Sequence, residues 1–155
     1  MTAHRSTLLM LLLASATTAL AVENDQSMAG VENPARARVN YMLNCQGCHG
    51  PTGSGMADGT VPDMSGYLAR YLHVEGGREF LVRVPGSANA GITPAALAEV
   101  LNWMLETMDA EHLPADFAPY RAEEVEALRS QPLQDVVTTR AALLTRLADL
   151  DLERR

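Results

Sequence analysis

Lysine is missing from this 155-residue chain, so all 12 of its basic residues are arginine. Aromatic residues are scarce, with one Trp, four Tyr and two Phe. Cysteine is nearly absent: two residues cannot staple a disulfide miniprotein. The 19 acidic residues set a net charge of -7, which excludes a partner such as nucleic acid whose phosphates must be neutralised by basic side chains. With no lysine cluster, a polybasic membrane-surface patch is excluded too. Long apolar runs are also lacking, since the stretch at residues 8–14 is too short to span a bilayer. What remains is 47% hydrophobic content, enough for one domain of ordinary size with a core poor in aromatic rings.

The short apolar run has a different meaning. His4 and Arg5 precede it, and Ala19-Leu20-Ala21 supplies the small-x-small pattern of a secretory cleavage site. Residues 1–21 therefore read as a signal peptide cleaved after Ala21, which places the mature chain in the periplasm without an integral membrane segment. No cysteine follows the cleavage site to carry a lipid anchor.

Export changes the reading of the two cysteines. Cys45 and Cys48 are separated by Gln46-Gly47 and followed at once by His49, the attachment motif of c-type haem. On one turn of chain the two sulfurs reach the two vinyl groups of a single porphyrin, and the next side chain places an imidazole at the iron. The motif implies one haem c held by two thioethers, with His49 as the metal ligand. A thioredoxin-like dithiol shares the Cys spacing but needs a β/α pattern that is not visible here. Structural zinc would need more ligands than His73 and His112 can add. A plain disulfide is the third alternative.

The rest of the chain reads as helices and loops. Asn33-Pro34 caps a helix running to about Asn44, with Val39, Met42 and Leu43 on an apolar side. Residues 50–59 are a Gly-rich loop. Residues 67–73 read as a short helix ending at Gly76-Gly77, whereas the apolar run at residues 78–84 is too short to distinguish strand from helix. Thr93-Pro94 caps the clearest helix, where Leu97, Val100, Leu101, Met104, Leu105 and Met108 recur at helical spacing.

On these motifs residues 34–108 resemble class I monohaem cytochromes c. The resemblance implies an all-α fold in which a first helix crosses a last helix beside the haem. Ala37 and Tyr41 match the small residue and the aromatic of that first helix, and Trp103 matches the aromatic of the last. Pro62-Asp63-Met64-Ser65-Gly66 is similar to the family's Pro-x-Leu-x-Gly element, which implies that the Pro62 carbonyl accepts a hydrogen bond from the ligand histidine. By the same comparison Met64 packs on the haem face. One departure stands out. Relatives with a methionine on the far side of the iron place it in a Met-Pro pair shortly before the last helix, where this chain has Val84-Pro85. The sixth position then falls to Met64 or Met56, to His73, or to water or a vacancy.

The expected function is single-electron transfer to or from a periplasmic dehydrogenase or respiratory partner, because no distal acid-base pair for peroxide is apparent in the sequence. The alternatives are a five-coordinate haem protein that binds small ligands or peroxide, and the haem subunit of a larger oxidoreductase. Residues 34–108 hold five Arg and six acidic side chains, so the acidity lies mostly in residues 22–33 and just after Met108, at Asp109, Glu111 and Asp116. An apolar patch at the haem edge is then the expected docking surface for a redox partner. Residues 109–155 form a linker with Pro114 and Pro119, then helices over residues 122–130 and 133–153. The second carries a leucine-rich stripe that folds back on the haem domain, forms a dimer or docks a partner.

Overall fold

The computed structural model describes residues 27–153. The signal peptide, its cleavage site and the acidic residues Glu23 and Asp25 lie outside the described residues. The elements are α1 (Pro34–Asn44), α2 (Gln46–His49), a 3-10 helix (Ala69–His73), α3 (Gly77–Arg83), α4 (Pro85–Ala88), α5 (Pro94–Met108), a second 3-10 helix (Ala110–His112), α6 (Ala122–Arg129) and α7 (Val136–Glu153). There is no strand among the described residues.

Both expected caps are present. The Asn33 side chain accepts the Arg36 N–H at 2.9 Å, and Thr93 Oγ1 accepts the Ala96 N–H at 3.2 Å. A proline follows each cap at the start of its helix, where its missing N–H costs nothing. The ambiguous run at residues 78–84 folds as helix α3, which buries Phe80, Leu81 and Val82. Tertiary packing chose its state: Phe80 lies against Tyr71 of the first 3-10 helix, with ring centroids 5.1 Å apart. Gly77 permits that approach, because a Cβ there would stand 1.9 Å from the Tyr71 carbonyl oxygen.

α1 packs on α5 through the small residue and the aromatic that the resemblance places at this crossing, and not through the apolar side formed by Val39, Met42 and Leu43. The buried residues are Ala37 and Tyr41, while Val39, Met42 and Leu43 are 51%, 46% and 77% exposed. A small residue and a flat ring allow close approach at the contact, and the aliphatic side chains face outward. The contact is reinforced by a buried carboxylate on α5. Arg36 donates from Nε and Nη2 to the two oxygens of Glu99, each at 2.8 Å, and the Asn33 N–H donates to the same carboxylate at 2.9 Å.

Burial alone would raise the Glu99 carboxyl, but the Arg36 guanidinium and the Asn33 N–H outweigh it and hold its pKa below the ordinary value. In the window between the two pKa values the unfolded chain binds the additional proton. Glu99 therefore stabilises the fold above the unfolded carboxyl pKa, about 4.3, and that contribution is lost as pH falls through the lower folded value. Thermal melts from pH 6 to pH 3 should show the loss, and Glu99→Gln should flatten that part of the profile. An equal slope in the variant would assign the acid sensitivity to other groups.

The C-terminal helices share the core of the preceding residues, which runs from Tyr41 and Leu97 to Tyr120, Val125, Leu143 and Leu147. Asn102, fully buried on α5, joins three segments: its amide donates to the carbonyls of Gly30 and Tyr120, and its oxygen accepts the Tyr120 N–H. Arg129 of α6 donates to the carbonyls of Ala88, Ala90 and Ile92, in the connection leading into α5. Helix α7 begins at Val136, later than expected. Leu133 is drawn out of it by a backbone bond from its N–H to the Arg83 carbonyl, and the Asp135 carboxylate receives the Thr138 N–H. The α7 stripe buries Leu143 and Leu147 against α3 and the first 3-10 helix, leaving Val137 81% exposed.

Candidate cofactor site

Helix α1 ends at Cys45, which also precedes α2, so the chain turns within the motif and Cys48 and His49 fall on one short helical turn. Both cysteines are free thiols; Cys45 is half-buried and Cys48 exposed. Burial pushes the Cys45 thiol above its ordinary pKa. His49 Nδ1 is buried and has no hydrogen-bond partner. Burial also pulls the His49 pKa below its ordinary value, opposed in part by the nearby Pro62 backbone. A half-buried imidazole with a buried, unpartnered nitrogen fits a metal-ligating histidine.

The loop that follows turns back on the motif. The Gly55 N–H donates to the His49 carbonyl at 3.0 Å, and the Met64 N–H donates to the Gly53 carbonyl at 2.7 Å. Gly53 is buried at φ +81, where a Cβ would lie 2.8 Å from Met108 Sδ and 3.6 Å from Met64 Cε. Met64 and Met108 thus converge on the loop that closes over His49. Two free thiols and an unpartnered imidazole on one turn, enclosed by a thioether-lined loop, fit a covalently attached haem.

Comparison with known proteins agrees with this geometry. The chain is 32% identical over 119 aligned residues to cytochrome c-552 of Thermus thermophilus, covering 64% of this chain and 90% of the relative. This chain belongs to the c-type cytochromes. A second cytochrome c-552, from a particular strain of Thermus thermophilus, matches at the same identity, with 80% of it covered. No protein-family model matches the chain, and no solved structure matches it. The family assignment makes this an electron-transfer protein built around haem c. No helix among the described residues is long and apolar enough to cross a membrane.

The side chains weighed for the sixth position in this c-type cytochrome have different surroundings. Met56 is 44% exposed, with its sulfur toward the Thr60 hydroxyl at 3.5 Å. Met64 belongs to the loop tied to His49. His73 donates through Nε2 to the His112 carbonyl at 2.8 Å, in a small pocket of about 50 Å³ walled by Leu147 and Leu150 of α7.

The structure also assembles a group that sequence reasoning missed. Asp109 is not part of the surface acidity but buried: its carboxylate accepts the Ala69 N–H at 2.7 Å and a hydrogen bond from His112 Nδ1. The other nitrogen of His112 faces Arg70 Nη2 at 2.7 Å, and because a guanidinium cannot accept, Nε2 must. Both ring nitrogens are thereby engaged, so this His-Arg pair serves packing between the two 3-10 helices. Arg70 and His112 are 42 positions apart, and no local spacing signals their meeting.

Proposed function

We propose that this protein is an exported class I cytochrome carrying single electrons in the periplasm, with one haem c bonded to Cys45 and Cys48 and ligated by His49. The observation that carries the reading is the pair of free thiols on the turn that ends at His49, whose buried Nδ1 has no hydrogen-bond partner. A bound haem c supplies a metal centre that accepts and releases one electron. Cys45 and Cys48 would fix its position, and His49 would hold the iron from one side. The Pro62 carbonyl would accept the N–H of whichever His49 ring nitrogen does not hold the iron, orienting the ring and raising its basicity. The signal-like segment at residues 1–21, cleaved after Ala21, supplies export.

Transfer to or from a periplasmic dehydrogenase or respiratory partner is the matching task. The exposed Val39, Met42 and Leu43 lie on the helix that ends at Cys45, and between Pro34 and Ala57 the only charged side chains are Arg36 and Arg38. An apolar, weakly charged surface suits a transient redox encounter. A second reading concerns the sixth position. Met56 faces outward, His73 is held by the His112 carbonyl, and Met64 is tied to the same loop as His49. These placements favour an exchangeable sixth site open to small ligands.

Voltammetry and a haem assay on the purified protein test the main reading. One haem per chain, retained after denaturation, with a reversible one-electron couple is the expected result. A protein that releases its haem on denaturation, or shows no such couple, would overturn it. Carbon monoxide added to the reduced protein reports the sixth position: rapid stoichiometric binding is expected for the open site, and a sealed coordination sphere would leave the spectrum unchanged.

A further inference from the structure

We propose that the hydroxyl of Tyr41, beyond the packing of its ring, is a positioning group for the iron ligand His49. This inference rests on the ligation of haem by His49 proposed above. Tyr41 is 1% exposed and bonds to the chain on both sides of the motif. Its backbone carbonyl accepts the Cys45 N–H at 2.8 Å, and its hydroxyl donates to the Gly50 carbonyl at 2.6 Å. One residue thus grips the first residue of the motif and the residue directly after it.

The hydroxyl end continues into the loop that returns to His49. Gly50 closes α2 at φ +73, a conformation that suits glycine, and its N–H donates to the Gln46 carbonyl. Burial raises the Tyr41 phenol above its ordinary pKa, helped by the Cys45 thiol and opposed in part by the Gly53 backbone. From Gly53 the backbone reaches Met64, and from Gly55 it donates to the His49 carbonyl. The main chain at His49 is therefore held at its own carbonyl by Gly55 and at the next one by Tyr41.

The ring alone does not need this oxygen. Tyr41 and Trp103 meet with centroids 5.5 Å apart, a contact that phenylalanine would preserve. A buried hydroxyl is costly unless bonded, so its placement on Gly50 marks a specific role for the bond. Without it the carbonyl beside the ligand loses its anchor and the imidazole gains freedom to rotate about the iron bond.

The test compares Tyr41→Phe with Trp103→Phe in the haem-loaded protein. The readouts are haem content, amide exchange at Gly55 and the electron paramagnetic resonance g values of the ferric iron made low-spin with added cyanide, which follow the orientation of the histidine imidazole. Tyr41→Phe should keep one haem per chain, exchange the Gly55 amide roughly tenfold faster, as expected for a local opening eased by one weak hydrogen bond, and shift or broaden the g values. Trp103→Phe should lower the melting temperature and leave the g values in place. Unchanged g values in Tyr41→Phe, or equal changes in both variants, would reduce the hydroxyl to general packing and overturn the proposal. Should Tyr41→Phe not accumulate, 3-fluorotyrosine at position 41 keeps the hydroxyl but alters its donor strength; shifted g values then support the proposal and unshifted ones overturn it. A wild-type protein with attached haem but no histidine-ligated signal would instead refute His49 ligation itself, and this proposal with it.

Discussion

Replacing Cys45 and Cys48 together by serine is expected to abolish haem retention and to lower the stability of the fold at the same time. The chain has only seven aromatic residues, and the structure spends Tyr41, Tyr71, Phe80, Trp103 and Tyr120 on contacts of the core. Much of what surrounds the motif is left exposed or unpartnered: Leu43 at 77%, Met42 at 46%, and the buried His49 Nδ1. Any group that binds the native state and not the unfolded chain stabilises by mass action, by about 4 kcal/mol at a thousandfold excess over Kd. A covalent haem acts as a ligand at very high local concentration, so its loss should cost at least that much, or roughly 10 °C in Tm. Calorimetry of the wild-type holoprotein beside the double variant measures this. A variant that melts cooperatively at the wild-type temperature would show that the polypeptide core is complete without the cofactor.

Asp109→Ala is expected to be the most damaging substitution away from the motif. The Asp109 side chain is fully buried at the end of α5, and its carboxylate joins the Ala69 N–H to His112 Nδ1. Truncation leaves a buried backbone N–H without its acceptor and removes the charge that orients His112. Arg70 then faces an imidazole free to turn, and the His73 bond to the His112 carbonyl loses its support. Leaving a buried donor without its acceptor costs about 1–3 kcal/mol for each donor, or several degrees in Tm for a chain of this size. Asp109→Asn should cost less, because its carbonyl oxygen can still accept the Ala69 N–H. A Tm for Asp109→Ala within about 2 °C of wild type would show that the network contributes little to stability. Loss of the reversible redox couple is not expected of either variant, since no member of this network belongs to the Cys45–His49 turn.

The local features were legible because their causes lie within a few residues. Asn33 and Thr93 cap helices through bonds spanning three positions, and the stripe from Leu97 to Leu105 records the period of a helix with one buried side. Cys45, Cys48 and His49 are equally local: their spacing in the sequence is enough to set them on a single turn. The sequence was less legible where partners are distant. Val39, Met42 and Leu43 form the apolar side of α1, yet they face outward, because Ala37 and Tyr41 are the residues that meet α5. The burial of Asp109 was not legible, because nothing near it in sequence announces the Ala69 N–H, 40 positions away.

By itself, then, the sequence determined an all-helical chain with Cys45, Cys48 and His49 on one turn, because capping, helical period and motif spacing are short-range properties of consecutive residues. Only the tertiary structure decided that the tail folds back on the core, that Arg129 ties the approach to α5, that His73 is engaged by His112, and that the Tyr41 hydroxyl reaches Gly50. Those outcomes depend on which buried donor finds which acceptor once the helices pack. That pairing is a property of the folded core as a whole, and no short stretch of the chain contains it.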